Sequence, residues 1–289
     1  MNRRFFTLDV FTHRPFSGNP LAVVLDSEGL DAAAMQAIAR EFNLSETVFV
    51  LPAAEARHRA RLRIFTPQRE MPFAGHPTVG AAALLALRQS GGDQVFGLEE
   101  EAGIVSCVVE IRGEDRAMAR FRAPQTPHKL DRKVDPAAAA AALGLDVDDI
   151  GETACWSAGT PFDLVEIASL EALGRARPTG SFAETFSAHP GAFLFVRVAD
   201  WTQWRARMFA PNAGVPEDPA TGSAAAAFAG LVHARVLPGE GDHDFAIAQG
   251  VEMGRPSRIA VQLICRAMHL EGVEIGGEAV IVSEGLLRA

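Results

Sequence analysis

His76-Pro77-Thr78-Val79-Gly80-Ala81-Ala82-Ala83 and Asp218-Pro219-Ala220-Thr221-Gly222-Ser223-Ala224-Ala225 are two versions of one pattern. Each passes through a proline, reaches a glycine and opens into a run of small residues, as a helix does when it leaves a turn. The leading polar residue is His in the first copy and Asp in the second. Two further pairs lie at a similar offset, about half the chain. Gly18-Asn19-Pro20 matches Gly159-Thr160-Pro161, and Phe65-Thr66-Pro67 matches Phe209-Ala210-Pro211. Three ordered matches at one offset indicate two copies of a domain rather than a solenoid of short repeats.

The 289 residues suit two domains, and 48% hydrophobic content gives each half enough for its own core. We place the boundary between residues 1–122 and 123–289, with a last strand near 279–289 that returns to the N-terminal domain. No apolar run reaches the roughly 20 residues of a membrane helix. Met1-Asn2-Arg3-Arg4-Phe5-Phe6 lacks the long apolar stretch of a signal peptide, so a cytoplasmic location is expected. A net charge of −9 argues against a general nucleic-acid surface, which needs basic patches to displace counterions. The lysines are Lys129 and Lys133, both near the join, so a lysine Schiff base is not expected. Cys107, Cys155 and Cys265 show no CxxC spacing and the histidines no HxH or HExxH, so neither a metal nor another cofactor is predicted. Gly241-Asp242-His243-Asp244 reads as a solvated turn.

Periodicity outlines the elements. In the first half strands are expected at 5–11, 21–25, 47–51 and 59–66, and a hairpin at 95–99 and 104–111. Asp31 should cap a helix that runs to Phe42. A loop over 67–77 leads to a helix from about Thr78 to Leu87. A linker is expected at 123–135, then a helix at 136–143. Strands follow near 162–167, 193–198 and up to Phe209. After a long loop, 211–219, comes a helix from about Thr221 to Val236, then strands near 244–249, 258–265 and 279–283. This predicts an α+β fold: two pseudo-symmetric domains, each a mostly antiparallel sheet rolled around one central small-residue helix. A helix with alanine on nearly every side can be enclosed closely by sheet.

The helix starts carry the candidate chemistry. Free N–H groups and the macrodipole favour an anion there. Gly75, Gly80 and Gly222 admit close approach, while Thr78, Thr221 and Ser223 offer hydroxyls. His76 would titrate near neutrality, which suits proton transfer. Asp218 reads equally as an Asx turn before a helix. Glu46, in Leu44-Ser45-Glu46-Thr47, reads by pattern alone as a solvated turn glutamate.

Several segments together resemble a known family. They are Asp9-Val10-Phe11-Thr12, Ser17-Gly18-Asn19-Pro20-Leu21-Ala22-Val23, Asn43-Leu44-Ser45-Glu46-Thr47 and Pro72-Phe73-Ala74-Gly75-His76-Pro77-Thr78. Pro216-Glu217-Asp218-Pro219-Ala220-Thr221-Gly222-Ser223-Ala224 and Gln249-Gly250 with Gly254-Arg255-Pro256-Ser257 complete the set. In that order they resemble the PhzF-like isomerases of phenazine biosynthesis, within the diaminopimelate epimerase fold. The resemblance implies two pseudo-symmetric domains with a cleft between them, cofactor-free proton-shift chemistry on a small carboxylate-bearing substrate, and a homodimer. It implies Glu46 as the acid–base residue, with His76, Asp218 and Ser223 lining the site. Epimerases and racemases of the wider fold use two opposed cysteines at the helix starts. Neither start has one here, which argues against two-thiol racemisation. A non-catalytic small-molecule-binding or stress-associated protein that keeps the fold is the alternative reading.

Overall fold

The computed structural model describes residues 2–89, 91–189 and 191–289. The chain forms two compact units, 1–124 with 276–289, and 125–275. In unit 1 the elements are β1 (Asn2–Val10), β2 (Asn19–Val24), α1 (Ala32–Phe42), β3 (Glu46–Leu51), β4 (Ala60–Phe65), β5 (Glu70–Met71), α2 (Gly75–Leu87), β6 (Gln94–Glu100), β7 (Gly103–Ile111) and β8 (Arg116–Arg122). Unit 2 holds β9 (His128–Leu130), α3 (Pro136–Leu143), β10 (Ile150–Ser157), β11 (Pro161–Ile167), α4 (Leu170–Arg175), α5 (Phe182–Thr185), β12 (Ala192–Arg197) and β13 (Gln203–Ala210). It continues through β14 (Val215–Asp218), α6 (Gly222–Val236), β15 (Gly241–Gln249) and β16 (Ser257–Arg266). The last strand, β17 (His269–Arg288), starts in unit 2 and finishes in unit 1.

Strand pairing repeats between the units. In unit 1, β1 and β2 are antiparallel, β2 and β3 parallel, β3 and β4 antiparallel, β4 and β6 parallel, and β6 and β7 antiparallel. The series β10–β11–β12–β13–β15–β16 has the same senses in the same order. Even the short side strands correspond: β5 pairs antiparallel with β4, and β14 with β13. The duplication suspected from three short matches is thus present throughout the topology. The fold is α+β, with a mixed sheet around a core helix in each unit.

That helix is enclosed because of its composition. In α2 the residues from Gly75 to Leu84 and Ala86 are buried, and in α6 Gly222 and the run from Ala224 to Val232. A helix hidden on every face can have no polar stripe. Side-chain size then limits how close the strands come. At Gly80 an added Cβ would sit 2.5 Å from Leu21 Cδ2 and 2.8 Å from Val10 Cγ2. At Gly230 it would sit 2.4 Å from the Trp156 ring. Outside the core helices, ordinary caps set the boundaries. Asp31 accepts from Ala34 N–H at 2.8 Å, and Asn43 ends α1 in the left-handed region. Asp135 caps α3, with Pro136 at its start and Gly144 past its end.

Several expectations need correction. β8 and β10 were not anticipated. β9 lies inside the expected linker and pairs with β10. β14 and a short 3₁₀ turn at Pro211–Ala213 occupy the expected 211–219 loop. The stretch from Gly241 to Asp244 is the start of β15 rather than a turn, and Asp242 there pairs with Arg266 at 2.7 Å. Finally, α2 begins at Gly75, three residues before the expected Thr78. This moves Gly80 out of the first turn and into the helix body, where it packs on Leu21 and Val10. Its backbone N–H is therefore not among the free donors of the helix start.

Candidate active site

Three strand and helix starts in unit 1 bring Asn19, Glu46 and His76 together. The first is set by a tight turn. Gly18 has φ +65°, and a Cβ there would lie 2.3 Å from Val10 O, so the chain can re-enter the sheet at Asn19 only with glycine before it. Asn19 then pairs opposite Val10 and is fully buried. The second start follows α1: Asn43 turns the chain, and Glu46 opens β3 beside Leu21 of the parallel β2. The third is α2, whose second residue is His76, 4% exposed.

Asn19 Nδ2 lies 3.2 Å from His76 Nδ1, and His76 Nε2 lies 3.4 Å from Glu46 Oε2. With the Asn19 amide nitrogen donating to Nδ1, the imidazole proton sits on Nε2 and points at the Glu46 carboxylate. Burial pushes the His76 pKa down to about 3. The imidazole is therefore neutral at pH 7, and its Nε2 faces the Glu46 carboxyl at 3.4 Å, a contact longer than an ordinary hydrogen bond rather than an ion pair. The premise that His76 titrates near neutrality does not hold, because the fold removes it from water.

Two adjacent glutamates end β6 on opposite faces of the strand. Glu99 accepts from Ala54 N–H (2.7 Å) and Glu55 N–H (2.9 Å) and lies 2.8 Å from His58 Nδ1. Those backbone bonds, then His58, hold its pKa down to about 2. Glu100 faces the interior, where burial raises its pKa to about 8 although Thr78 opposes this. Thr78 Oγ1 lies 2.7 Å from Glu100 Oε1 and 2.8 Å from Ala74 O.

The other candidate residues lie in unit 2, at the start of α6. Asp218 ends β14, Gly222 is buried, and Thr221 and Ser223 are half-buried. Thr221 donates its hydroxyl to Asp218 Oδ2 at 2.6 Å, so its side chain does not cap the helix. Gln249, fully buried at the end of β15, pins this turn. Its Nε2 donates to Asp218 O (2.8 Å) and Thr221 Oγ1 (3.1 Å), and its Oε1 accepts from Thr221 N–H (3.2 Å). Gly250 follows with φ +73°, and a Cβ there would meet Pro219 O at 2.6 Å. Arg207 anchors β14 from below through two bonds to Glu217, 2.8 and 2.9 Å, and donates to the carbonyls of Leu173 and Ala176. The result is a rigid helix entrance that presents a carboxylate, hydroxyls and backbone N–H groups.

Asn19, Glu100 and Gln249 were not singled out as site residues. Asn19 and Gln249 stand in segments that carry the family resemblance, which was the available signal. Glu100 sits in Leu98-Glu99-Glu100-Glu101, which gives no sign that one carboxyl turns inward. The fold also assembles Cys155, Asp163 and His189, whose donor atoms all lie within 4.8 Å of one another, a group that could hold a metal. Scattered spacing concealed it. Cys155 Sγ is 3.2 Å from His189 Nε2, and Arg132 holds Asp163 at 3.1 and 3.4 Å. Burial, then the Asp163 charge, pushes the Cys155 thiol up to about 11, with Arg132 opposing. Among the described residues, no helix is long and apolar enough to cross a membrane.

Known proteins are similar to this one over nearly the whole chain. An uncharacterized isomerase of Mesorhizobium japonicum is 47% identical, over 99% of this chain and 98% of its own length. The trans-2,3-dihydro-3-hydroxyanthranilate isomerase of Pseudomonas aeruginosa is 36% identical, over 98% of both. A crystal structure of a Bacillus anthracis phenazine biosynthesis protein of the PhzF family superposes with a TM-score of 0.87 at 27% identity, covering all of both chains. The family described as phenazine biosynthesis-like protein matches residues 8–285. With its topology duplicated and Glu46 set against a buried, neutral His76, this chain belongs to the phenazine biosynthesis-like protein family.

Proposed function

We propose that this protein is an isomerase that moves a proton on a small carboxylate-bearing substrate, with Glu46 as the proton carrier. The observation that carries the reading is the chain Asn19–His76–Glu46. Glu46 lies 3.4 Å from the Nε2 of an imidazole that burial keeps neutral, so the imidazole does not compete for the proton. Glu46 takes a proton from an acidic C–H, the electron pair shifts along the substrate π-system, and Glu46 returns the proton to another carbon of that system. Atoms and charge balance without a redox partner, so the step asks for no cofactor. The buried His76 imidazole beside Glu46 stays in place while the carboxylate is neutralised and restored, so little has to reorganise.

Asp218, Thr221, Gly222 and Ser223 hold polar groups of the substrate in this reading. A helix entrance with free N–H groups favours a carboxylate, and the fixed Asp218 favours an amine or hydroxyl. Gly75 and Thr78 border His76 in the first turn of α2 and belong to the same reading. The candidate substrate is trans-2,3-dihydro-3-hydroxyanthranilate, on which the Pseudomonas aeruginosa relative acts by its name. It has the carboxylate, amine, hydroxyl and acidic C–H that the two groups of residues would use. A homodimer in the cytoplasm completes the proposal, and light scattering tests the dimer by a native mass of two chains.

The test is incubation of this compound with the protein in heavy water, followed by NMR. Isomerised product with deuterium at the newly protonated carbon is expected. A compound that binds tightly yet takes up no deuterium and is not isomerised would favour a binding protein instead.

A further inference from the structure

Thr78 has one hydroxyl proton and two acceptor-type neighbours. Its Oγ1 lies 2.8 Å from Ala74 O, a partly buried contact, and 2.7 Å from Glu100 Oε1, a buried one. A carbonyl oxygen can only accept, so the hydroxyl proton goes to Ala74 and the contact with Glu100 then needs a proton from the glutamate. An ionised Glu100 would instead bring oxygen lone pairs together at hydrogen-bond distance. Its second oxygen makes the same point. Glu100 Oε2 is buried with no hydrogen-bond partner among the described residues, a placement far more costly for a carboxylate than for a neutral acid. From β7, the titratable group that acts with it is Cys107, whose buried thiol is itself pushed up by burial and by Glu100. From α2 no charge faces it, since His76 is neutral.

We propose that Glu100, in its protonated form, is a positioning residue that locks the first turn of α2 and so fixes the His76 imidazole against Glu46. The lock runs Glu100 O–H to Thr78 Oγ1 to Ala74 O. It ties β6 to the first turn of α2, whose N-cap, Ala74, has no capping side chain of its own. Thr78 also returns its backbone N–H to Ala74 O at 3.2 Å, so both of its donors close one turn around His76. Removing Glu100 leaves the Thr78 hydroxyl bonded to Ala74 O but no longer held from β6, so the turn loses its tie to the sheet. The inference rests on the reading of Glu46 as the proton carrier, but the protonation of Glu100 and the state of His76 can be observed without turnover.

Glu100→Gln and Glu100→Ala test it, against the wild type, by NMR of labelled glutamate carboxyls and histidine nitrogens and by exchange on trans-2,3-dihydro-3-hydroxyanthranilate in heavy water. At pH 7 the wild type should show one protonated glutamate carboxyl that Glu100→Gln lacks. His76 should be the Nε2–H form in the wild type and in Glu100→Gln, and should shift or broaden in Glu100→Ala. Exchange should fall roughly 10–100-fold in Glu100→Ala, as for a displaced catalytic group. It should stay within about twofold in Glu100→Gln, whose amide N–H donates as the carboxyl did. An ionised Glu100 at pH 7, a His76 signal unmoved in Glu100→Ala, or a Glu100→Gln variant as slow as Glu100→Ala would overturn the lock. Should Glu100→Ala not fold, the wild-type carboxyl signal and Glu100→Gln still decide. If the wild type shows no exchange, the reading of Glu46 falls, while the two NMR observations still uphold or overturn the lock.

Discussion

The starts of α2 and α6 occupy equivalent places in the duplicated topology but are built in opposite ways. The α2 start is dry. His76 is 4% exposed and neutral, fixed between Asn19 and Glu46, and the turn is closed from inside by Thr78 and Glu100. The α6 start is half-exposed. Asp218 remains in partial contact with solvent, and its partners, Thr221 and Gln249, hold the turn rather than hide it. Burial alters protonation, as it does for His76 and Glu100, whereas exposure with fixed geometry suits recognition of a charged or polar group. In the proposed reading, the start of α2 handles the proton and the start of α6 holds polar groups of the substrate.

The contrast can be broken by substitution. Glu46→Gln should give the largest effect: exchange should fall by about 10²–10⁴-fold, the usual worth of a positioned acid–base group, while binding by calorimetry persists. An unchanged exchange rate would remove Glu46 from the chemistry. His76→Ala should cost roughly 100-fold in exchange, since the carboxyl loses the imidazole dipole packed beside it. Substitution at the holding copy should act on binding. Asp218→Ala is expected to raise KM roughly tenfold or more, in line with loss of a charge-assisted hydrogen bond, with kcat little changed. A fall in kcat at constant KM would instead move Asp218 into the proton-handling group.

The pH dependence of stability sharpens the same comparison. His76 has a folded pKa of about 3 against 6.5 unfolded, so the unfolded chain binds more protons between these values. Its contribution to stability is complete above pH 6.5 and is lost as pH falls towards 3, at about 1.4 kcal/mol per unit. Glu100 works the other way. Its folded pKa of about 8 exceeds the ordinary 4.5, so the folded state binds the extra proton and stability falls as pH rises from 4.5 to 8. Chemical denaturation across pH 4–9 should therefore show Glu100→Gln losing the alkaline decline and His76→Gln losing part of the acid decline. The smallest effects on chemistry belong to Gly80→Ala and Gly230→Ala. Each should destabilise its own unit by about 1–3 kcal/mol through overpacking, against Leu21 and Val10 or against Trp156, without a direct change in exchange.

Much of the fold was legible because its signals are local. Asp31 and Asn43 bracket α1, Asp135, Pro136 and Gly144 bracket α3, and the small-residue runs mark both core helices. What escaped depends on partners distant in sequence. β9 is three residues long and exists because β10 lies beside it. α2 starts at Gly75 rather than Thr78, with an alanine at its N-cap and so no capping side chain to mark the boundary. His76, Asp218 and Glu46 were singled out by the repeat and by family resemblance, but the protonation of His76 was not readable. His76 was expected to titrate near neutrality, which burial prevents. Glu99 and Glu100 are neighbours in sequence, yet only the alternation of β6 sends one to backbone N–H groups and the other to the interior.

The central claim is that one carboxylate, Glu46, both takes and returns the proton. Its most direct test uses trans-2,3-dihydro-3-hydroxyanthranilate deuterated at the carbon that loses hydrogen, turned over in ordinary water. A single carrier predicts that part of the label reappears on the newly protonated carbon of the product, and that Glu46→Gln abolishes this transfer. Complete loss of the label to water, with Glu46→Gln turning over at the wild-type rate, would contradict it.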